Sequence, residues 1–540
     1  MASQAEVLLA AIAGVVSHHG VFIYGEWHLR ATNVLKCYTL MFLATVGLQL
    51  RYRHAQWFQA ITLSCQIWTV YAGALFTSIT IYRVFFHRLR HFDGPVLARI
   101  SKLWHVAHCL DSKNYLLLER LHEQYGDVVR TGPDELTIFD PDILPAILDG
   151  RDMNKPAWYD NLRPYHGLNT HRSKIVHSHR RRIWDYAFTK EALAEYESQM
   201  RVYAHSLRQL VAQNEGKAVA INNYFYWFTF DVMGHFAFSR SFDMLKTGTW
   251  HHAVSMLRAG LAIVGPFTPV PWVVRIGSDL PILPQVRDLL AMQKWCARQM
   301  DERIERKPAE RDISDYLINW STKHDRLEKD RETLYGDSIA MIIAGSDTAA
   351  LTLIVLFYFL AKHPEHLKKL QTELEAVDWM NQPDLLQNLP HLNGLINETL
   401  RLYPAVPTGG LRETPKEGTI LAGRFIPGQT VICAPRYTLG RLESCFEQAN
   451  EFIPERWYSR PEMVKNKNAF APFARGQYYC IGKNLAYSEL RFVTALLTSE
   501  FDVAFPPGDD GSRVVDEYVD QFTATAGPLN LVFSNRRPGA

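Results

Sequence analysis

The sequence predicts a mainly α-helical protein with small β-sheets, held at its N-terminal end by a transmembrane anchor. Three observations carry this reading. Residues 61–82 hold no charged side chain over 22 positions, and about 20 apolar residues suffice to cross a bilayer. From about residue 96 onward apolar residues recur mostly at helical spacing, with only short alternating runs between. The 540 residues are 47% hydrophobic and 12% aromatic, enough to bury a large core.

Taken in order, residues 1–91 form a hydrophobic membrane region and residues 92–540 a globular part. The span 61–82 is followed by Arg83, His87, Arg88 and Arg90, cations that tend to stay cytosolic. Further spans at 7–25 and 37–50 are weaker candidates: His18 and His19 interrupt the first, and the second is only 14 residues long. Three spans would place Arg51 and Arg53 in a lumenal loop, against the usual bias, which favours one or two. A cleaved signal peptide is not expected, because the strongest apolar run lies too far along the chain. His91-Phe92-Asp93-Gly94-Pro95 reads as a hinge. Strands are expected at Glu135–Phe139, at Thr419–Cys433 as a hairpin turning on Pro427-Gly428, and at Leu529–Phe533. The charged stretch from Asp301 to Glu332 reads as a solvated helix and loop. The apolar, proline-rich segment Leu261–Pro284 reads either as a loop dipping into the membrane surface or as a packed connection.

A net charge of +2 with no basic block excludes a nucleic-acid partner. Seven scattered cysteines without a C-x-x-C pair favour neither a disulfide framework nor a zinc site. Cys37, Cys65, Cys109, Cys296, Cys433 and Cys445 are expected to be small buried hydrophobes.

Cys480 differs by its surroundings. It lies in Phe470–Ala486, FAPFARGQYYCIGKNLA, with Phe473, Gly476 and Gly482 at fixed offsets and an apolar helical run beginning at Leu485. A thiolate ligand pushes electron density onto haem iron and favours O–O cleavage, and hydrogen bonds to the sulfur tune such a site. This segment resembles the cysteine loop of the cytochrome P450 family, F-x-x-G-x-R-x-C-x-G. Phe473, Gly476, Cys480 and Gly482 fill the pattern, while Tyr478 stands where an arginine or histidine usually pairs with a haem propionate. The resemblance implies a cytochrome P450-like fold and haem b (iron protoporphyrin IX) with Cys480 as axial ligand of the iron.

Other motifs extend the resemblance from about residue 92 to the end of the chain. Ala344-Gly345-Ser346-Asp347-Thr348 sits within the apolar run Ile339–Leu360 and matches A-G-x-D-T. A carboxylate at mid-membrane depth costs roughly 2.5–3.5 kcal/mol, so Asp347 argues for a core helix. The resemblance implies that Thr348 hydrogen-bonds dioxygen bound at the haem and Asp347 feeds protons toward it. Glu398 and Arg401 lie three apart on one helical face, and Pro454-Glu455-Arg456-Trp457 follows. In the family these motifs meet as a buried Glu398–Arg401–Arg456 cluster beneath the cysteine loop. Arg412, His177 and Arg181 occupy positions implied to hold the propionates, with Arg182 a further candidate. The implied substrate wall is Met341, Ile342, Ala344, Val406, Pro407, Thr408 and Phe522.

These residues point to a membrane-bound haem-thiolate monooxygenase at the endoplasmic reticulum, its catalytic domain cytosolic. It would take electrons from an NADPH-cytochrome P450 reductase, met by the cations Lys483 and Arg475, and oxidise an apolar small molecule. The long leader and the His177 helix resemble fungal members serving secondary metabolism, for which a terpenoid, alkaloid or polyketide would suit. Two alternatives stand beside this reading. One is a haem-thiolate isomerase, peroxygenase or ring-forming oxidase, and the other is a multi-pass membrane receptor or transporter without haem.

Overall fold

The computed structural model describes residues 2–149, 153–306, 308, 311–521 and 523–536. Three apolar helices open the chain. Helix α1 (Gln4–Ser17) starts at a reciprocal cap between Ser3 and Glu6. Helices α2 (Ala31–Arg53) and α3 (Trp57–Ile81) follow. Gly14 allows α1 to lie so close to α3 that an added Cβ would meet the Tyr71 carbonyl at 2.4 Å. Leu8, Leu9, Leu40, Phe58 and Phe76 point outward and are 61–87% exposed, as expected of side chains that meet lipid. All three candidate segments are helices, and the second and third are longer than the sequence indicated. Arg53 pairs with Glu6 at 2.6 Å, so one of the two cations that argued against three spans is matched by a carboxylate. Cys37 and Cys65 are exposed on these helices, which corrects their assignment as buried.

The anchor is tied to the globular part by polar contacts. Arg172 reaches both oxygens of Glu26 (2.7 and 2.6 Å), His28 meets Asp160 at 2.9 Å, and Thr32 donates to Asp279 at 2.7 Å. Segment Leu261–Pro284 is not a loop. It ends one helix, passes through Gly265–Phe267 and forms the helix Pro271–Asp279, which packs on α2.

In the globular part a four-stranded sheet is built from β1 (Val128–Gly132), β2 (Glu135–Ile138), β3 (Arg412–Glu413) and β4 (Val431–Cys433). Its order is β1-β2-β4-β3, with β2 and β4 parallel. The expected hairpin within Thr419–Cys433 turns elsewhere. Thr419–Leu421 pairs with Arg424–Ile426 through Ala422 and Gly423, both at positive φ (49° and 67°), the backbone that matches strand twist in a two-residue turn. Pro427-Gly428 instead leads out of the hairpin toward β4. The last strand, Asn530–Asn535, pairs with Phe501–Ala504 and Ala218–Ala220.

The core is helical. Helices α4 (Lys174–Asp185), α5 (Leu327–Lys362), α6 (Pro390–Leu402) and α7 (Lys483–Glu500) position the site. Helix α5 is long and apolar enough to cross a membrane, yet it is enclosed by protein where α1 to α3 are not. The charged stretch 301–332 is not wholly solvated either. Arg303 and Asp312 are buried and make a fork of 2.7 and 2.9 Å bonds.

Candidate active site

Cys480 lies three residues before the start of α7. Its N–H donates to the Phe473 carbonyl at 2.8 Å, which closes the loop between the two motif residues. Gly476 is required where it stands: its φ is +63°, and an added Cβ would meet the Leu148 carbonyl at 2.4 Å. Phe473 packs on Tyr487, ring centroids 5.1 Å apart. The Cys480 side chain is exposed. Crowding by the surrounding chain raises the thiol pKa, while the Gly482 N–H and the Arg181 charge oppose that rise. The adjoining helix N-terminus also favours a negative sulfur.

The expected rim residues converge, and they are short of partners. Tyr478 packs against His177, centroids 4.5 Å apart. Two cations lie over its ring, Arg412 at 4.6 Å and Lys155 at 4.7 Å. Arg181 donates to the Tyr479 carbonyl at 2.9 Å and lies over the Tyr479 ring at 4.0 Å. Four buried polar atoms here have no hydrogen-bond partner among the described residues: Tyr478 Oη, His177 Nδ1, Arg181 Nη2 and Arg412 Nε. Such atoms are costly unless a ligand satisfies them. Burial pushes the His177 pKa down to about 3, helped by Lys155 and Arg181, so its ring is neutral. Burial and the Arg412 charge also drive Lys155 far below its usual range. Arg412 and Lys155 form no ion pair with a carboxylate among the described residues; they bond to Tyr159 Oη at 2.9 Å and the Asn169 carbonyl at 2.7 Å respectively. Lys155 and Tyr159 escaped the sequence reading because Asn154-Lys155-Pro156-Ala157-Trp158 matches no motif. Arg182, the further candidate, is exposed.

On α5 the pentapeptide divides between faces. Ala344 is exposed and Thr348 half-buried, whereas Asp347 is buried. Thr348 donates to the Ala344 carbonyl at 2.7 Å. Gly345 lies against a neighbouring helix. An added Cβ would meet Met233 Sδ at 2.5 Å, so the glycine serves helix packing. Asp347 accepts from Thr523 at 3.3 Å. Burial pushes its carboxyl up to about 6, with Arg258 and the Thr523 bond opposing.

The buried cluster forms as expected and gains a member. Glu398 Oε1 accepts from Arg401 Nη2 (2.7 Å), Arg456 Nε (2.9 Å) and the Ile453 N–H (3.0 Å). Oε2 accepts from Arg401 Nε and from Trp457 Nε1, both at 2.9 Å. Trp457 was visible in the sequence only as a neighbour of Arg456. Of the wall residues, Thr408 lines an open cavity, Ala344 and Val406 are accessible, and Met341, Ile342 and Pro407 are buried. Phe522 lies outside the described residues.

A family model described as Cytochrome P450 matches residues 95–531. The chain is 36% identical over 539 residues to cytochrome P450 monooxygenase FCK2 of Fusarium pseudograminearum, covering 97% of each. It is 35% identical over 544 residues to tryprostatin B 6-hydroxylase of Aspergillus fumigatus, covering 98% of this chain and 96% of the other. The fold matches a crystal structure of the cytochrome P450DA heme domain at a TM-score of 0.68 and 19% identity, covering 80% of this chain and 96% of that one. The chain therefore belongs to the cytochrome P450 family. It is a monooxygenase that uses haem iron, electrons from a redox partner and a small-molecule substrate, which removes the receptor or transporter reading.

Proposed function

We propose that residues 92–540 form a haem-binding catalytic domain and residues 1–91 its membrane region. On this reading the protein takes NADPH-derived electrons from a reductase at the endoplasmic reticulum membrane, catalytic domain in the cytosol. It oxidises an apolar small molecule of fungal secondary metabolism. The observation that carries the site assignment is the set of four unpaired polar atoms at the Tyr478 rim, close in sequence and space to an accessible Cys480. Two propionates would satisfy such donors, so the residues fit haem b.

Cys480 would hold the iron, steadied by the Phe473 carbonyl above and the Gly482 N–H beside it. Arg181, Arg412, Lys155 and His177 would hold the propionates, and Tyr478 would offer its hydroxyl where the family carries a cation. When bound, the haem supplies dioxygen activation. Asp347, with its pKa near 6, exchanges a proton close to neutral pH, the condition for a useful relay. Thr348 keeps its hydroxyl on the accessible side of α5, its proton held on the Ala344 carbonyl until a better acceptor approaches. The Glu398 cluster moves no proton and holds the loop.

The experiment is a reduced, carbon-monoxide difference spectrum of the expressed protein and of Cys480→Ser. Wild type should give the thiolate-type band and the variant should not. Turnover with NADPH and reductase, against peroxide alone, separates monooxygenation from peroxygenase or isomerase chemistry.

A further inference from the structure

An open cavity of about 150 Å³ lies beside the main sheet. Its wall is largely apolar, with Pro156, Trp158, Pro266, Pro269 and Leu411 among the lining residues. One side is made by the segment running into Pro271–Asp279, the helix that packs on α2, so the cavity adjoins the anchor. Another side is Thr408 to Leu411, which leads directly into Arg412 at the rim.

A chain of hydrogen bonds runs along the wall of this cavity, and its direction is determined by chemistry. Lys102 can only donate, and it pairs with Glu135 and reaches His105 Nδ1 at 2.9 Å. His105 therefore carries its proton on Nε2, which meets Asn114 Oδ1 at 2.5 Å. The Asn114 amide donates to Thr408 Oγ1 at 2.9 Å. The Thr408 hydroxyl is left to donate to Asp520 Oδ2. Every proton in the chain is aimed at Asp520, whose carboxylate is the final acceptor. The charge of Lys102 is already matched by Glu135. Among the described residues no lysine, arginine or histidine pairs with Asp520; burial pushes its carboxyl up to about 6, with the neutral Thr408 and Asn114 opposing that rise, so it is ionised at neutral pH without a cation beside it.

A carboxylate held in place inside an apolar cavity, with no cation of its own, is a costly arrangement unless a ligand supplies the charge. We propose that this cavity recognises a cationic nitrogen on an otherwise apolar substrate, with Asp520 as the anchor and the Lys102–His105–Asn114–Thr408 chain holding it in position. This rests on the monooxygenase reading and names a substrate class for it. Specificity of this kind is strong because an analogue lacking the matching group leaves a buried polar atom unpaired.

The test uses the full-length holoprotein and a shape-matched pair of probes, N,N,N-trimethyl-1-adamantylammonium and 1-tert-butyladamantane. A quaternary nitrogen has no lone pair, so it cannot ligate iron. Kd values come from quenching of tryptophan fluorescence, Trp158 being in the wall, with equilibrium dialysis as the second readout. Wild type should prefer the cation, and Asp520→Asn should weaken the cation about 10- to 100-fold through loss of the Coulomb attraction, leaving the neutral probe unchanged. Thr408→Val should weaken the cation by a smaller factor in the same direction. Equal affinity of wild type for both probes overturns the proposal, as does an Asp520→Asn variant that keeps the preference. The wild-type comparison decides even if a variant fails to fold. A normal carbon-monoxide band with no charge preference would sink this inference and leave the monooxygenase reading standing.

Discussion

Two clusters of buried polar groups sit near the cysteine loop and differ in one respect. Around Glu398 both carboxylate oxygens are bonded, and both arginines also reach carbonyls. Arg401 donates to Gly440 and Ala449 at 2.5 Å, and Arg456 to Glu447 at 2.8 Å. Around Tyr478, among the described residues, the cations outnumber the carboxylates and four polar atoms are unmatched. The first cluster is complete within the protein and acts on stability. The second is incomplete, and an incomplete set of buried donors marks where a ligand belongs.

The largest effect should come from breaking the complete cluster. Glu398→Ala leaves Arg401 and Arg456 buried without a counter-charge, which costs about 3–5 kcal/mol. Thermal unfolding and haem content should both collapse; a variant that folds and loads normally would show that the cluster is dispensable.

Asp347 is next. Its folded pKa of about 6 exceeds the roughly 3.9 of an unfolded aspartate. The folded state therefore binds the proton more tightly, and stability is lost as pH rises from about 4 to 6. Above that window the ionised group costs up to about 3 kcal/mol. Asp347→Asn should be more stable than wild type at pH 8, the gap closing as pH falls toward 4. A pH-independent gap in denaturant titrations would refute the burial argument.

The sharpest contrast is Lys155→Met. If the rim is incomplete by design for an anion, haem affinity should fall about 10- to 100-fold, matching the 1.5–3 kcal/mol of a charged hydrogen bond. The haem-free protein should be no less stable, since a buried lysine is disfavoured there. Loss of haem-free stability, measured by urea unfolding, would place Lys155 with the Glu398 type of cluster instead. The smallest effect is Trp457→Phe, which removes one bond to Glu398 and should cost about 1 kcal/mol. No change in unfolding midpoint would make that bond incidental.

How much was legible beforehand varies by residue. Cys480, Gly476, Glu398, Arg401 and Asp347 sit in short motifs whose spacing is local, so one loop or one helical turn carries the meaning. The strands at Glu135 and Leu529 were readable for the same reason. Misreadings fell where a partner distant in sequence decides. The Leu261–Pro284 segment forms a helix that packs on the far-removed α2, and β4 leaves its expected hairpin to pair with β2, almost 300 residues earlier.

By itself the sequence determined the thiol, the acid and alcohol on one helix, the Glu398–Arg401 pair on one helical turn and the apolar leader, because each is a short-range pattern of chemistry. Tertiary structure alone decided that Lys155 joins the rim, that Arg53 on α2 meets Glu6 on α1, and that Asp520 ends a relay begun at Lys102. Those outcomes depend on which distant surfaces meet, and desolvation and hydrogen-bond satisfaction are set only once they do.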